Sequence, residues 1–162
     1  MRKIGVISDT HIRSRIRGLP QFVFEAFDDV DFILHAGDML LEDVITELEA
    51  IAPTYAVAGN NDNYEIYSKF GTRRIIEAGG KRIGLTHGHG GQKTYINALA
   101  EFYEDNVDCI VFGHSHIPYN GTMEGILLFN PGSPTDRRFQ PMYSLGLLYI
   151  DEFIKGEILY FK

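Results

Sequence analysis

The chain contains no tryptophan, one cysteine and six prolines among 162 residues. A lone cysteine cannot close an internal disulfide, and Cys109 lies inside the apolar run 109–112, so a disulfide-stapled secreted scaffold is excluded. Long hydrophobic runs are missing too. The apolar stretches are strand-sized, far short of the roughly 20 residues that a membrane helix needs. An excess of positive charge is also lacking: the formal net charge is −7. That argues against broad, sequence-independent nucleic-acid binding, which depends on a basic surface, while leaving room for a local cationic site such as a bound metal. The N-terminal residues 1–7 enter a strand pattern directly, without the layout of a signal peptide, and the expectation is a cytoplasmic protein. There is no internal repeat, low-complexity tract or linker, so residues 1–162 are expected to form one domain.

What is present is an ordinary globular balance, 44% hydrophobic and 23% charged. The run 3–7 reads as a strand. Pro20 opens a helix with Phe22, Val23, Ala26 and Phe27 at helical spacing. A strand follows at 31–34, then an amphipathic helix marked by Leu41, Val44, Ile45, Leu48 and Ile51 that stops before Pro53. Residues 54–57 form a third strand. This first third is a βαβαβ pattern, which predicts parallel strands. Gly79-Gly80 then sits between 73–78 and 81–86, a two-residue hairpin signal. Tyr95, Ile96, Leu99, Phe102 and Tyr103 predict a helix, and 109–112 a buried strand. Short strands near 126–129, 144–150 and 157–161 complete the chain. The remainder after residue 70 is thus expected to be largely antiparallel with one helix, and the whole to pack as two sheets with helices outside.

The chemistry gathers where strands end. Asp9 and His11 follow the first strand, Asp38 the second, Asn60 the third. His87 follows the hairpin arm, and His114 and His116 follow the run 109–112. All six histidines fall in such strand-end segments. In α/β sheets, ligands gather just beyond the carboxyl ends of strands. Oxygen and nitrogen donors without thiolate favour Mn, Fe, Zn, Ni or Co over Mg or Ca. Seven donors suffice for two four-coordinate shells if one aspartate bridges, the arrangement of phosphoester-cleaving sites with ions roughly 3.5–4 Å apart. Two divalent cations against Asp9 and Asp38 leave an inner charge of about +2, suited to an anionic substrate.

Asp-x-His, Gly-Asp, Gly-Asn-x-Asp, His-Gly-His and Gly-His-x-His, in this order from Ile4 to about Pro134, resemble the calcineurin-like metallophosphoesterase superfamily. The short length and the late Asn130-Pro-Gly-Ser133 resemble its small bacterial and archaeal phosphodiesterase branch. The resemblance implies an α/β, four-layer αββα sandwich of two mixed sheets flanked by helices, with a dinuclear site at the strand-end loops. It implies that Asp9, His11 and His116 hold one metal, that Asn60, His87 and His114 hold the other, and that Asp38 bridges. It further implies in-line attack on phosphorus by a metal-bridging hydroxide. The implied cofactors are two divalent transition ions, Mn2+ foremost and Fe2+, Zn2+, Ni2+ or Co2+ as alternatives.

Many relatives carry histidine where this chain has Asn61, which can donate a hydrogen bond but cannot act as a general acid near neutral pH. This favours a small phosphodiester substrate over a phosphomonoester. The rival readings are a phosphomonoesterase or phosphoprotein phosphatase of the same superfamily, and a non-catalytic scaffold module, whose mark would be degraded metal motifs. Asn61, Asp62 and His89 are the remaining candidate catalytic residues, with Asp62 also a candidate brace for the Asn60 loop. His35 reads as a hydrogen-bonded core histidine, and Asn130 and Ser133 as turn residues. Arg13, Arg15, Arg17, Arg137 and Arg138 could form a phosphate-attracting rim, and Tyr64, Tyr67 and Phe70 a stacking surface or loop packing. Exposed sheet edges would permit a homodimer.

Overall fold

The computed structural model describes residues 1–162. Strand β1 (Arg2–Ile7) is central to a five-stranded sheet that also holds β2 (Phe32–His35), β3 (Thr54–Ala56), β9 (Tyr143–Ile150) and β10 (Ile154–Phe161). β1, β2 and β3 run parallel, and β9 and β10 close the other side antiparallel. The second sheet has the order β4 (Arg73–Ala78), β5 (Lys81–Thr86), β6 (Cys109–Val111), β8 (Ile126–Asn130) and β7 (Tyr119–Met123).

Side-chain alternation explains why the two sheets stack. Ile4 and Val6 on β1, and Cys109 and Val111 on β6, point into one core shared between the sheets, together with Leu34, Ile83, Leu85 and Phe129. The alternate residue Ile7 joins a second core under α1 (Gln21–Ala26), α2 (Asp43–Glu49) and α3 (Tyr64–Phe70). Ile110 and Phe112 join a third under α4 (Thr94–Glu101). Strands buried on both faces read as continuous apolar runs, which is the pattern of 109–112. The result is the expected four-layer αββα sandwich.

Two expectations need correction. The half after residue 70 is mixed, since β5, β6 and β8 are mutually parallel. The cause is β7, a strand not anticipated, which pairs antiparallel with β8 and lets that strand insert beside β6. There is also an additional helix. Tyr64, Tyr67 and Phe70 belong to α3, with Ile66 packed on the first-sheet core. The Asn63 side chain caps it by accepting from Ile66 N at 3.0 Å, and Gly71 ends it at φ 69°. Tyr64 and Tyr67 are exposed, so they are not packed under a loop.

The parallel strands β1, β2, β3, β5, β6 and β8 end at one edge of the sandwich. Backbone bonds tie the outgoing loops together: Asp9 N donates to Gly37 O, His11 N to Asp38 O, and Gly113 N to His87 O. This ties together the loops that carry Asp9, His11, Asp38, His87, His114 and His116.

Candidate metal centre

The strand-end loops take an unusual backbone. Asp9, His11, Asp38, His114 and His116 all have φ between 46° and 73°, five of the eight non-glycine residues in the left-handed region. Such conformations cost about 1–3 kcal/mol each and persist where the surroundings enforce them. Asp9-Thr10-His11 and His114-Ser115-His116 share the same alternation, which aims residues i and i+2 into one crevice.

Donor atoms converge there. Asp38 Oδ2 lies 3.3 Å from both His11 Nε2 and His87 Nε2. Asp9 Oδ1 lies 3.7 Å from the same two nitrogens and 3.5 Å from His116 Nε2. Asp9 Oδ1, His11 Nε2, His87 Nε2 and His116 Nε2 are buried and lack any hydrogen-bond partner. Leaving four buried polar atoms unpaired is costly, and their shared focus is the signature of a site built for cations. The far side of two imidazoles is occupied: His87 Nδ1 donates to Ala36 O at 2.8 Å, and His116 Nδ1 donates to Asp136 O. Each Nε2 therefore presents its lone pair to the crevice.

The rings fall into two groups. His116 stands beside His11 with centroids 4.9 Å apart, and His114 beside His87 at 5.1 Å. Donors of Asp9, His11 and His116 lie close enough to share one ion, as do those of Asp9, Asp38 and His87. Asp9 thus takes part in both clusters. Asn60 is exposed at the rim, and His89 is exposed with its ring 5.6 Å from His87 and 6.2 Å from His114.

Electrostatics follow from this crowding. Burial works against charge on Asp9, but His11, His87 and His116 outweigh it and hold the carboxyl below its usual range. Asp38 is likewise held far down by His11 and His87 against the cost of burial. Burial alone would lower His11, yet the Asp38 and Asp9 carboxylates raise it to about 9. His87 is raised by the same partners. Burial and the neighbouring His87 lower both His89 and His114. A proton on His11 thus occupies the role that a cation would take, and a metal must displace it.

Surrounding residues hold the ligands in place. Asn61 donates to Asp38 twice, from its backbone N to Oδ1 at 2.9 Å and from Nδ2 to Oδ2 at 2.8 Å. Asp62 accepts from the N–H groups of Asp38, Leu40 and Gly59 at 2.8–2.9 Å. Both of its oxygens are engaged by backbone N–H groups, the arrangement expected of a brace for the Asp38 and Asn60 loops. Replacing Asp62 by alanine orphans three backbone donors; the expected loss is about 3 kcal/mol of stability. Calorimetry should show metal affinity falling by roughly 10–100-fold. Asp62→Asn should recover part of both, and unchanged unfolding in Asp62→Ala would contradict the bracing role.

The β8 end belongs to the site as well, which the sequence reading did not assign. Ser133 Oγ donates to Asp9 O, Thr135 Oγ1 to Thr10 O, and Asn130 Nδ2 to Gly113 O. Asp136 anchors His116 through its carbonyl and places Oδ2 at 3.5 Å from His11 Nδ1. The available signal was Asn130-Pro-Gly-Ser133 followed by an acidic residue. His35 is buried, accepts from Gly37 N and meets Thr10 Oγ1 at 3.1 Å; burial lowers it to about 4. Cys109 is fully buried, and burial pushes its thiol up, which removes it as a nucleophile. Arg13 and Arg17 line a polar cavity of about 360 Å3 beside His11, together with Ser14, Thr135 and Asp136. Arg15 pairs with Asp43, and Arg137 turns to Gln140 O and the Tyr143 ring, so neither forms part of that cavity.

An αββα sandwich with mixed imidazole and carboxylate donors at one strand edge defines a metal-dependent phosphoesterase. The chain belongs to the calcineurin-like phosphoesterase superfamily, whose domain model matches residues 2–152. A probable metallophosphoesterase of Methanothermobacter thermautotrophicus is 40% identical over 160 residues, covering 96% of this chain and 91% of that protein. Among solved structures, Vps29 of Chaetomium thermophilum superposes with a TM-score of 0.80 at 20% identity, covering 100% of this chain and 99% of that one. A structure described as a novel archaeal phosphodiesterase gives 0.77 at 24% identity over 98% and 99% of the two chains. Members of this superfamily use divalent metals, and the convergent donors described above are candidate ligands.

Proposed function

We propose that this protein is a metal-dependent phosphodiesterase acting on a small, accessible phosphodiester. The observation that carries the reading is the set of four orphaned donors gathered in two adjoining groups where the parallel strands of the two sheets end. We assign Asp9, His11, Asp38, Asn60, His87, His114 and His116 to two divalent transition ions, with Mn2+ the preferred metal and Fe2+, Zn2+, Ni2+ or Co2+ as substitutes. When bound, such ions polarise the phosphoryl group and activate water at neutral pH.

The chain's own residues do the rest. Asp38, equidistant from His11 and His87, is suited to face both ions, with Asn61 fixing its orientation. Asn61 cannot protonate a leaving group, and its amide is already engaged with Asp38, which disfavours monoesters with poor leaving groups. His89 stands exposed at the opening, where it can hydrogen-bond a substrate oxygen. Arg13 and Arg17 supply positive charge beside His11 in an otherwise acidic protein. The archaeal phosphodiesterase of the same fold agrees with this reading. The proposed setting is cytoplasmic; no helix is long and apolar enough to cross a membrane.

The test is a rate comparison after chelation and reconstitution with each metal in turn. Bis-p-nitrophenyl phosphate should be hydrolysed at least about tenfold faster than p-nitrophenyl phosphate, a barrier difference of about 1.4 kcal/mol. Faster turnover of the monoester would select a phosphomonoesterase. Protein that stays inactive with Mn2+ and the other metals would select a scaffold of the Vps29 kind.

A further inference from the structure

The centre opens onto two unequal cavities. On the His11 side the lining is wholly polar. On the His114 side lies a cavity of about 480 Å3, walled by Tyr95 from α4, Phe112 and His114 beyond β6, Ile117, Tyr119 from β7, and Arg138. The Tyr95 and Tyr119 rings are stacked, 5.6 Å between centroids and 5° between planes, and Phe112 lies 6.3 Å from Tyr119. Both tyrosines are only half-buried, and Ile117 is 52% exposed. Tyr95 and Tyr119 pack with one side on the core of Phe102, Phe112 and Ala98, yet both stay partly open where they line the cavity beside the metal cluster.

We propose that this cavity is a subsite for a planar aromatic group carried by the phosphoester: the base of a nucleoside ester or a simple aryl ester. The inference rests on the phosphoesterase reading of the metal centre. Its physical basis is complementarity. A planar ring gains stacking and apolar contact from Tyr95, Tyr119 and Ile117, which a bare sugar or short alkyl group cannot. The volume suits a small ligand of nucleoside size. Arg138 and Lys93, which also lines the cavity, add positive charge to its wall. With the phosphoryl group at the cluster, His114 marks the threshold between the reacting atoms and the aromatic wall.

Calorimetry on the Mn2+-reconstituted protein tests this with two non-hydrolysable probes that share one anionic head. Phenylphosphonate should bind at least about tenfold tighter than methylphosphonate, as expected for one stacked ring. That ratio should collapse towards one in Tyr119→Ala and in Ile117→Glu, the latter at an exposed position where folding is not at stake. A ratio below about two in the wild type, or one that survives both substitutions, overturns the subsite. Adenosine 5′-monophosphate against ribose 5-phosphate separates the sources. A preference here at least as large as that for phenyl assigns nucleoside esters, and a preference confined to the phenyl pair assigns aryl esters. If neither phosphonate binds, the phosphoester reading and the subsite fall together; if both bind equally, the subsite falls alone.

Discussion

Asp38→Asn is expected to abolish most activity, by on the order of a thousandfold, while leaving the fold intact. That factor corresponds to about 4 kcal/mol at the transition state. The carboxylate lies 3.3 Å from both His11 Nε2 and His87 Nε2, nearer to each than the Asp9 carboxylate at 3.7 Å, and so stands equally between the two histidine groups. An amide keeps one oxygen for Asn61 N but removes the negative charge that offsets two cations. Metal content should therefore fall from two ions per chain to one or fewer. Elemental analysis with circular dichroism provides the check. A folded variant that retains two ions and near-native rates would refute the bridging assignment. The variant should also be inactive on every substrate, unlike substitutions in the cavity beside His114, which should alter preference.

Gly113→Ala is expected to damage the site from a position that contacts no substrate. A Cβ at Gly113 would overlap Ser8 Oγ and stand 2.5 Å from Asp9 Oδ2. Those two atoms are themselves hydrogen-bonded at 2.7 Å, and Asp9 Oδ2 also accepts from His114 N at 2.9 Å. One added methyl group thus presses on the junction where the β1 and β6 loops meet. Overpacking of this kind costs about 1–3 kcal/mol, and displacement of Asp9 should weaken metal binding by roughly 10–100-fold. Urea unfolding and metal titration measure the two effects. Ser8→Ala removes the clashing hydroxyl, so the double variant should be more stable than Gly113→Ala alone. If the second change makes matters worse, the steric explanation is wrong.

How much of this was legible beforehand differs from element to element. The run 109–112 could be read as a buried strand because both of its faces are apolar, and the structure sets one face in the core between the sheets and the other under α4. The hairpin at Gly79-Gly80 was equally plain, since both glycines adopt φ > 0. Helix α3 was not. Its aromatic residues at 64, 67 and 70 read in the sequence as stacking groups or loop packing, and the helix signal, Asn63 as a cap with Gly71 as a stop, is weak beside them. β7 was missed because Tyr119-Asn-Gly-Thr-Met123 carries glycine and asparagine, which normally mark a turn. Missing that strand also produced the wrong expectation for the second sheet.

By itself the sequence marked the candidate donors. Seven oxygen- and nitrogen-bearing residues stand immediately after apolar runs, a local arrangement needing no tertiary information beyond the rule that parallel strands end together. It likewise determined that Asn61 cannot act as an acid, because that is a property of the side chain. Only the tertiary structure decided how the donors share their charges. Asp9 reaches both histidine groups, a relation set by the distance between two sheets and invisible to spacing along the chain. The tertiary structure also recruited Asp136 and enclosed the cavity of Tyr95, Tyr119 and Arg138, bringing together residues from α4, β7 and the loop after β8. Those contacts depend on β8 inserting beside β6, a non-local pairing on which local propensity has no bearing.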